Sequence, residues 1–284
     1  MVKGLADKIF DTVVFILLGL IGVGALFPLL YVLSVSMTPI SEVLKGGFLI
    51  IPKKITWAAY KEILNTPLIP RSMYVTAFIT VVGTLISLFL TVLMAYPLSR
   101  HELPGRSIVV FLVVFTMLFS GGVIPTYILV RNLGLINSIW AMILPGAMWT
   151  FNVVLAKSFL ENLPNELIEA SRIDGAGESI ILIRIVLPLS LPMIMTIGLY
   201  FAVGQWNLFF AGIMYITKPN LYPLQVIIRQ ILMQSQNLAN NPDVIIPTRT
   251  MQMAAIIVAS VPMLLVYPFI QKYFTKGIFL GAIK

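Results

Sequence analysis

Residues 160–188 read LENLPNELIEASRIDGAGESIILIRIVLP, a charged stretch in an otherwise apolar chain. Asn162 is a residue type that caps helices, and Pro164 suits a first helical turn. Gly175 fits a left-handed stop, and a second helical run begins at Glu178 and ends near the final proline. The stretch therefore predicts a short helix, a tight turn and another helix, all outside the bilayer.

The rest of the chain is dominated by apolar segments. Hydrophobic residues make up 59% of 284 positions and charged residues 11%. Six stretches are each long enough to cross roughly 30 Å of hydrocarbon. They are 12–37, 73–98, 107–130, 133–156, 190–216 and 250–270. We interpret the first as a retained anchor, because its apolar run exceeds the core of a signal peptide. The sequence predicts one all-α transmembrane domain over 1–284.

The composition of the spans excludes several classes of function. None of the six contains Asp, Glu, Lys, Arg or His, and this argues against a proton-coupled carrier or an intramembrane acid/base enzyme. The only histidine, His101, falls in a short loop. Without cysteine there is no disulfide framework or thiolate metal site. We predict no catalytic residue, no metal ligand and no cofactor in this chain.

Charge alone leaves the orientation in the membrane open. A cytoplasmic amino terminus would place ten of the 19 basic residues inside and nine outside, which is no bias under the positive-inside rule. The net charge of +8 is scattered among loops without a basic run, so we predict contact with the lipid bilayer and no nucleic-acid partner. Gly-Lys never occurs, so no phosphate-cradling loop exists here. Another subunit must bind ATP if transport uses it.

The spacing within the charged stretch matches a motif. The segment EAS at 169–171 is followed after three residues by Gly175, and nine residues later by IVLP at 185–188. This fits E-A-A-x3-G-x9-I-x-L-P at every fixed position except Ser171. The stretch resembles the EAA loop of permease subunits in binding-protein-dependent ABC importers.

Three further segments extend the resemblance from about Pro70 onward. PTYILVRNLGLINSIW at 125–140 resembles the turn between the third and fourth spans of carbohydrate-importing permeases, and WNLF at 206–209 resembles their fifth-span W-N-x-F. The ending, 271–284, is similar to their closing tail, although one glycine is missing. Together they indicate the carbohydrate-uptake family, closest to the six-span partner of the maltose-type pair. The chain also resembles the subgroup associated with complex or acidic oligosaccharides.

The resemblance implies a type I importer fold whose loop 160–188 carries a coupling helix. Glu169 would form an ion pair with a basic residue of the ATPase, a role that suits a charge-assisted hydrogen bond; the alternative is a mere charge at a helix start. Ala170 and Ser171 would allow close approach, and Gly175 would supply a positive φ. The implied ATPase-coupling residues are Glu169, Ala170, Ser171, Asp174 and Gly175.

The same resemblance implies the partners and the topology. They are a second homologous permease forming a heterodimer, two ATPase subunits that bind ATP and Mg²⁺, and an extracytoplasmic solute-binding protein. Docking on the ATPase would place residues 160–184 and both termini in the cytoplasm of a bacterium, with the chain in its cytoplasmic (inner) membrane. The loops 38–72, 131–132 and 217–249 would then lie outside, and the tail after Tyr273 would contact the ATPases.

Sugar contacts are predicted from side-chain chemistry. Aromatic faces stack on sugars and neutral polar groups bind their hydroxyls. The candidates in the substrate path are Trp149, Asn152, Gln205, Trp206 and Asn207. Packing between helices is the alternative role for each of them. A different solute, such as an amino acid or a polyamine, and a secondary carrier are the alternative functions.

One outer segment has helical amphipathic spacing. The residues Leu224, Ile227, Ile228, Ile231 and Leu232 follow a 0, 3, 4, 7, 8 pattern. We predict a helix there that lies on the membrane surface, with support of a docked binding protein as the alternative.

Overall fold

The computed structural model describes residues 4–46, 50–237 and 249–282, and every regular element in these ranges is helical. The helices up to the middle of the chain are α1 (Leu5–Ser36), α2 (Ile40–Val43), α3 (Ala58–Asn65), α4 (Leu68–Ser99), α5 (Arg106–Leu118), α6 (Val123–Asn132) and α7 (Trp140–Ile143). Those that follow are α8 (Thr150–Glu161), α9 (Asn165–Ile173), α10 (Glu178–Ile181), α11 (Leu187–Leu189), α12 (Leu191–Trp206), α13 (Phe210–Tyr215), α14 (Leu224–Asn237) and α15 (Arg249–Ala282).

Three predicted spans are continuous helices of sufficient length and apolarity to cross a membrane. They are Asp7–Ser36 within α1, Leu68–Ser99, and Arg249–Val266 within α15. The predictions 12–37, 73–98 and 250–270 fall on these three helices. α15 extends past the predicted span to Ala282, and the last two residues of the tail lie outside the described residues.

The third predicted span, 107–130, is wrong as a continuous helix. α5 and α6 meet at an angle of 110°. Gly122, between them, has a φ of +87°, a conformation that glycine adopts without a Cβ penalty. The chain therefore turns within the apolar stretch, and this region counts as a span only if both arms are taken together.

The fourth and fifth predicted spans also differ from the structure. The helix predicted from Leu133 begins only at Trp140, because Gly134 and Asn137 both have positive φ. Trp140–Gly146 then meets α8 at 51°. The span predicted over 190–216 is interrupted after Trp206, and α12 is the second arm of a bent pair with Glu178–Leu189, at 80°. With each bent pair counted as one span, the described residues hold up to six.

The chain divides into two compact units. The first takes residues 1–69 and 228–261. Within it, the Ser36 and Tyr60 hydroxyls lie 2.7 Å apart, and Ile63 of α3 is fully buried. The apolar surface of α1 is uncovered, with Phe15 73% exposed. Such a surface is stable only against hydrocarbon or another protein.

The second unit takes residues 70–227 and 262–284. Its main core cluster joins Tyr96 of α4, Leu160 of α8, Ile168 of α9, Ile181 of α10 and Phe201 of α12. Helices far apart in sequence thus meet around one apolar centre. This centre holds the charged stretch against the ends of two predicted spans.

Candidate coupling surface and substrate path

The helix of the charged stretch is α9, which begins after Pro164. The prediction that Asn162 caps this helix is wrong. Asn162 follows the last turn of α8, where its Nδ2 donates to the Ser158 carbonyl at 2.7 Å. Pro164 has a φ of −57°, close to the value that its ring imposes. Pro164 therefore sets the start of α9, and the Asn162 amide hydrogen-bonds to the last turn of α8.

The end of α9 has the geometry of a Schellman motif. The Gly175 N–H donates to the Arg172 carbonyl at 3.0 Å, and the Ala176 N–H donates to the Ser171 carbonyl at 2.9 Å. Gly175 has a φ of +81°, so the predicted left-handed stop after Asp174 is present. This turn fixes the direction in which the chain leaves α9.

α9 is anchored by one residue and exposes most of the others. Ile168 is 3% exposed and belongs to the core cluster of the second unit. Of the predicted coupling residues, Glu169, Ala170, Asp174 and Gly175 are exposed and Ser171 is half-buried. The Ser171 hydroxyl donates to the Leu167 carbonyl at 2.7 Å. The structure therefore gathers the five residues on and just beyond one accessible helix.

Two apolar side chains on α9 were not predicted as part of this surface. Ile173 is 86% exposed and Leu167 is 46% exposed. At about 100° per residue, Ile173 lies roughly 140° around the helix from buried Ile168, a spacing readable from the sequence. We call the exposed side of α9 and its turn, residues 167, 169–171 and 173–175, the coupling surface. Exposed apolar groups between carboxylates are typical of a protein-docking surface.

Arg172 links the coupling surface to the rest of the second unit. Its guanidinium donates to Glu178 Oε1 at 2.8 and 2.9 Å, and to Glu102 at 3.1 Å. Hydrogen bonding to Glu178 raises the pKa of Arg172 above its already high value, so the side chain stays charged at any physiological pH. The sequence did not reveal this bridge, since Glu102 lies 70 residues from Arg172.

A second ion-pair group lies beside it. Glu161, at the end of α8, accepts from Lys157 at 2.7 Å and also pairs with Arg106. Arg106 Nε donates to the Leu98 carbonyl at 2.8 Å. The start of α5 is thereby bound to the last turn of α4 and to α8, the helix that leads into the coupling surface.

Trp149, a predicted sugar contact, packs on α12. Its ring centre lies 5.1 Å from that of Phe201, and a Cβ at Gly204 would lie 2.4 Å from the indole Cη2. Only glycine at 204 allows this approach. Trp149 remains 39% exposed, so part of its face is open to other molecules.

Two of the predicted polar contacts are buried amides with atoms that lack a hydrogen-bond partner among the described residues. Asn152, one turn after Trp149, is 0% exposed, and neither side-chain polar atom has a hydrogen-bond partner among the described residues. Gln205 is 4% exposed, and its Oε1 is also unsatisfied there. An unpaired buried polar group costs roughly 1–3 kcal/mol. Both groups therefore require water, a ligand or a different conformation.

The remaining two candidates lie at the end of α12. Trp206 is 7% exposed, so its indole serves packing in this conformation. Asn207 is exposed, and its Nδ2 donates to the Val203 carbonyl at 2.9 Å while its Oδ1 lies 3.5 Å from Gln225 Nε2. The structure thus packs Trp149 against α12 and buries Asn152 on α8. Gln205 instead lies against Gly83 of α4, and Asn207 is exposed just after α12.

A row of hydroxyls on α4 was missed by the sequence reasoning. Its members are spaced by four, three and four residues, and none has a partner among the described residues: Thr80, Thr84, Ser87 and Thr91. Gly83, on the same face, lies against Gln205, because a Cβ there would be 3.0 Å from the amide. The helical spacing of hydroxyls in the second span was the available signal.

The outer amphipathic helix is α14, and its predicted position on the membrane surface is not supported. Leu224, Ile227 and Ile228 are 1%, 3% and 8% exposed. The Leu224 N–H donates to Thr76 Oγ1 at 2.8 Å. The apolar face is covered by the protein itself, so it is not available to lipid. Residues 238–248 of the predicted outer loop lie outside the described residues.

The described residues contain no group of three or more His, Cys, Asp or Glu side chains suited to a metal ion. His101 is exposed in the α4–α5 loop and lines a small polar cavity of about 70 Å³ together with Glu169 and Arg172. The described residues thus combine an accessible, anchored helix with buried polar side chains on α4, α8 and α12. Such a combination is typical of a membrane transport protein.

The chain belongs to the family described as binding-protein-dependent transport system inner membrane component, which matches residues 81–280. It is 43% identical to the polygalacturonan/rhamnogalacturonan transport system permease protein of Bacillus subtilis, over 98% of this chain and 99% of that protein. It is 29% identical to that organism's galactooligosaccharides transport system permease protein, over 95% and 94% of the two chains.

A solved structure agrees in fold. It is a chain of a bacterial ABC transporter involved in the import of the acidic polysaccharide alginate, with a TM-score of 0.87 and 31% identity. The match covers 96% of this chain and 99% of that one. The predicted resemblance and the type I importer fold are confirmed. The protein is a non-catalytic, multi-pass permease subunit of a binding-protein-dependent ABC importer.

Proposed function

We propose that this permease translocates an oligosaccharide, and that an acidic or complex one is its natural substrate. Relatives named for polygalacturonan/rhamnogalacturonan transport and for alginate import support this substrate class. The observation that carries the coupling half of the proposal is the coupling surface, an exposed helix fixed at one end by buried Ile168 and at the other by the turn at Gly175.

Glu169 is the residue to which we assign ATPase docking. It is exposed on the same helix as Leu167 and Ile173, so its carboxylate can pair with a basic group of a partner while apolar neighbours are buried. The small side chains of Ala170 and Ser171 allow a partner to approach the helix closely there. Asp174 and Gly175 shape the exit of the chain. ATP and Mg²⁺ are bound by two partner ATPase subunits.

Transport follows from closure of those ATPases around ATP. A second, homologous permease completes the pore, and an extracytoplasmic binding protein delivers the sugar. Movement of the docked helices rocks the spans, so the polar path opens to each side in turn. Trp149 offers a stacking face, while the Asn152 amide and the Gln205 Oε1 offer polar atoms without partners among the described residues. Trp206 and Asn207 complete the proposed path.

The test is uptake by the whole complex in proteoliposomes. With ATP inside and the binding protein outside, we expect accumulation of uronate oligosaccharides that persists when an uncoupler collapses the proton gradient. Uptake that stops with the uncoupler at constant ATP would indicate a secondary carrier. Accumulation of an amino acid or polyamine in place of the sugar would contradict the substrate class.

Both termini and the coupling surface are proposed to be cytoplasmic. The chain has no cysteine, so single cysteines can be introduced without a background signal. We expect a membrane-impermeant maleimide to label Lys218→Cys in right-side-out vesicles and His101→Cys only after permeabilisation. Both positions are exposed. The reverse labelling pattern would invert the topology, and the unaltered protein serves as the unlabelled control.

A further inference from the structure

Arg172 is placed where three segments of the second unit meet. It lies on α9, and it donates to Glu178 at the start of α10 and to Glu102 in the α4–α5 loop. The planar guanidinium can serve two carboxylates at once, which an ammonium does less well. Its side chain is 34% exposed, so these bonds are partly shielded from water.

Glu178 continues the connection to α4. Its Oε2 accepts from the Tyr96 hydroxyl at 2.7 Å, while its Oε1 accepts from Arg172. The Tyr96 ring in turn lies under the Arg100 guanidinium, at 4.7 Å from the ring centre. A chain of contacts therefore runs from α9 through the start of α10 to the last turn of α4.

Apolar packing follows the same route. Tyr96, Ile168 and Ile181 belong to one core cluster, so α4, α9 and α10 are also joined by apolar contacts. Immediately after α10 the helix adopts a π-helical segment, Leu182–Val186, and then bends by 80° into α12. A displacement of α9 would therefore be passed to α4 through these polar and apolar contacts. It would reach α12 through the π-helical segment and the bend.

We propose that Arg172 is a positioning residue that transmits the movement of the coupling surface to α4 and to the bent helix Glu178–Trp206. It does so through Glu102, Glu178 and Tyr96 and does not itself bind the ATPase. Partly exposed ion pairs add little stability. We therefore assign these ion pairs the role of fixing the positions of α9, α10 and the α4–α5 loop relative to one another. The inference rests on the proposed coupling role of α9.

The test measures solute transported per ATP hydrolysed, in proteoliposomes that hold the whole complex. We expect Arg172→Gln to retain its ATPase subunits and basal hydrolysis while this ratio falls by about threefold or more. Arg172→Lys should restore part of the ratio. Arg184→Gln, which removes an exposed arginine of the π-helical segment, is the matched control and should leave the ratio unchanged.

An unchanged ratio in Arg172→Gln would overturn the proposal, as would loss of the ATPase subunits, because Arg172 would then be a docking residue. If the Arg172→Gln permease does not fold, Glu102→Gln and Glu178→Gln replace it as the test, and Tyr96→Phe tests the link to α4. Combining Arg172→Gln with Glu178→Gln should be no worse than Arg172→Gln alone. No ATP-driven uptake by the unaltered complex would contradict the proposed function, not this bridge.

Discussion

Replacing Glu169 with alanine is expected to abolish the stimulation of ATP hydrolysis by substrate-loaded binding protein. The carboxylate is exposed on an anchored helix, so its removal leaves the fold intact and deletes one charge-assisted bond. Such bonds contribute roughly 1.5–3 kcal/mol, or about tenfold to a hundredfold in affinity. The measurement is ATPase binding and stimulated hydrolysis by the reconstituted complex.

Glu166→Ala is the matched control for that result. Glu166 is also an exposed glutamate of α9, in its first turn, but lies outside the motif 169–171. We expect it to lose only the small stabilisation that an acidic group gives a helix start, about 0.3–1 kcal/mol. Equal loss of stimulation in both variants would show that overall charge, not Glu169, governs docking. Normal stimulation in Glu169→Ala would remove the coupling role.

Replacing Asn152 with leucine is expected to raise thermal stability and to impair transport. The Asn152 amide is fully buried without partners among the described residues, and leucine has a similarly branched, although larger, side chain without the desolvation cost. A gain of about 1 kcal/mol corresponds to roughly 2–4 °C in Tm. Transport should fall by about tenfold if the amide serves sugar hydroxyls during passage. Thermal unfolding and uptake are measured on the same preparation.

Asn162→Leu, at the residue that follows α8, provides the comparison. Its amide is exposed and satisfied by the Ser158 carbonyl, so its loss should lower Tm slightly and leave transport unchanged. A fall in Tm for Asn152→Leu would mean that the amide has a partner in the assembled transporter. Unimpaired uptake by that variant would place Asn152 outside the substrate path.

The fold class was predictable because hydrophobicity accumulates over long windows. Six apolar stretches were found, and three are the continuous helices of the described residues. The breaks in the other three depend on single residues: Gly122, for example, turns the chain inside a stretch whose apolar composition alone suggests one helix. Hydropathy does not detect such breaks. The helices before and after a break face the same lipid, so both have the same apolar composition.

The candidate site also has some features that the sequence predicts and others that only the tertiary structure decides. Glu169, Gly175 and their spacing are local features, so the motif and the left-handed turn at Gly175 were readable from sequence alone. The family follows from that local pattern, the membrane class follows from the long apolar stretches, and the docking role of α9 stays a prediction. Which face of α9 is buried, the pairing of Arg172 with Glu102, and the unsatisfied amide of Asn152 were decided by tertiary structure. Each depends on residues distant in sequence, and only the packing of helices brings their side chains within hydrogen-bonding distance or shuts them off from partners.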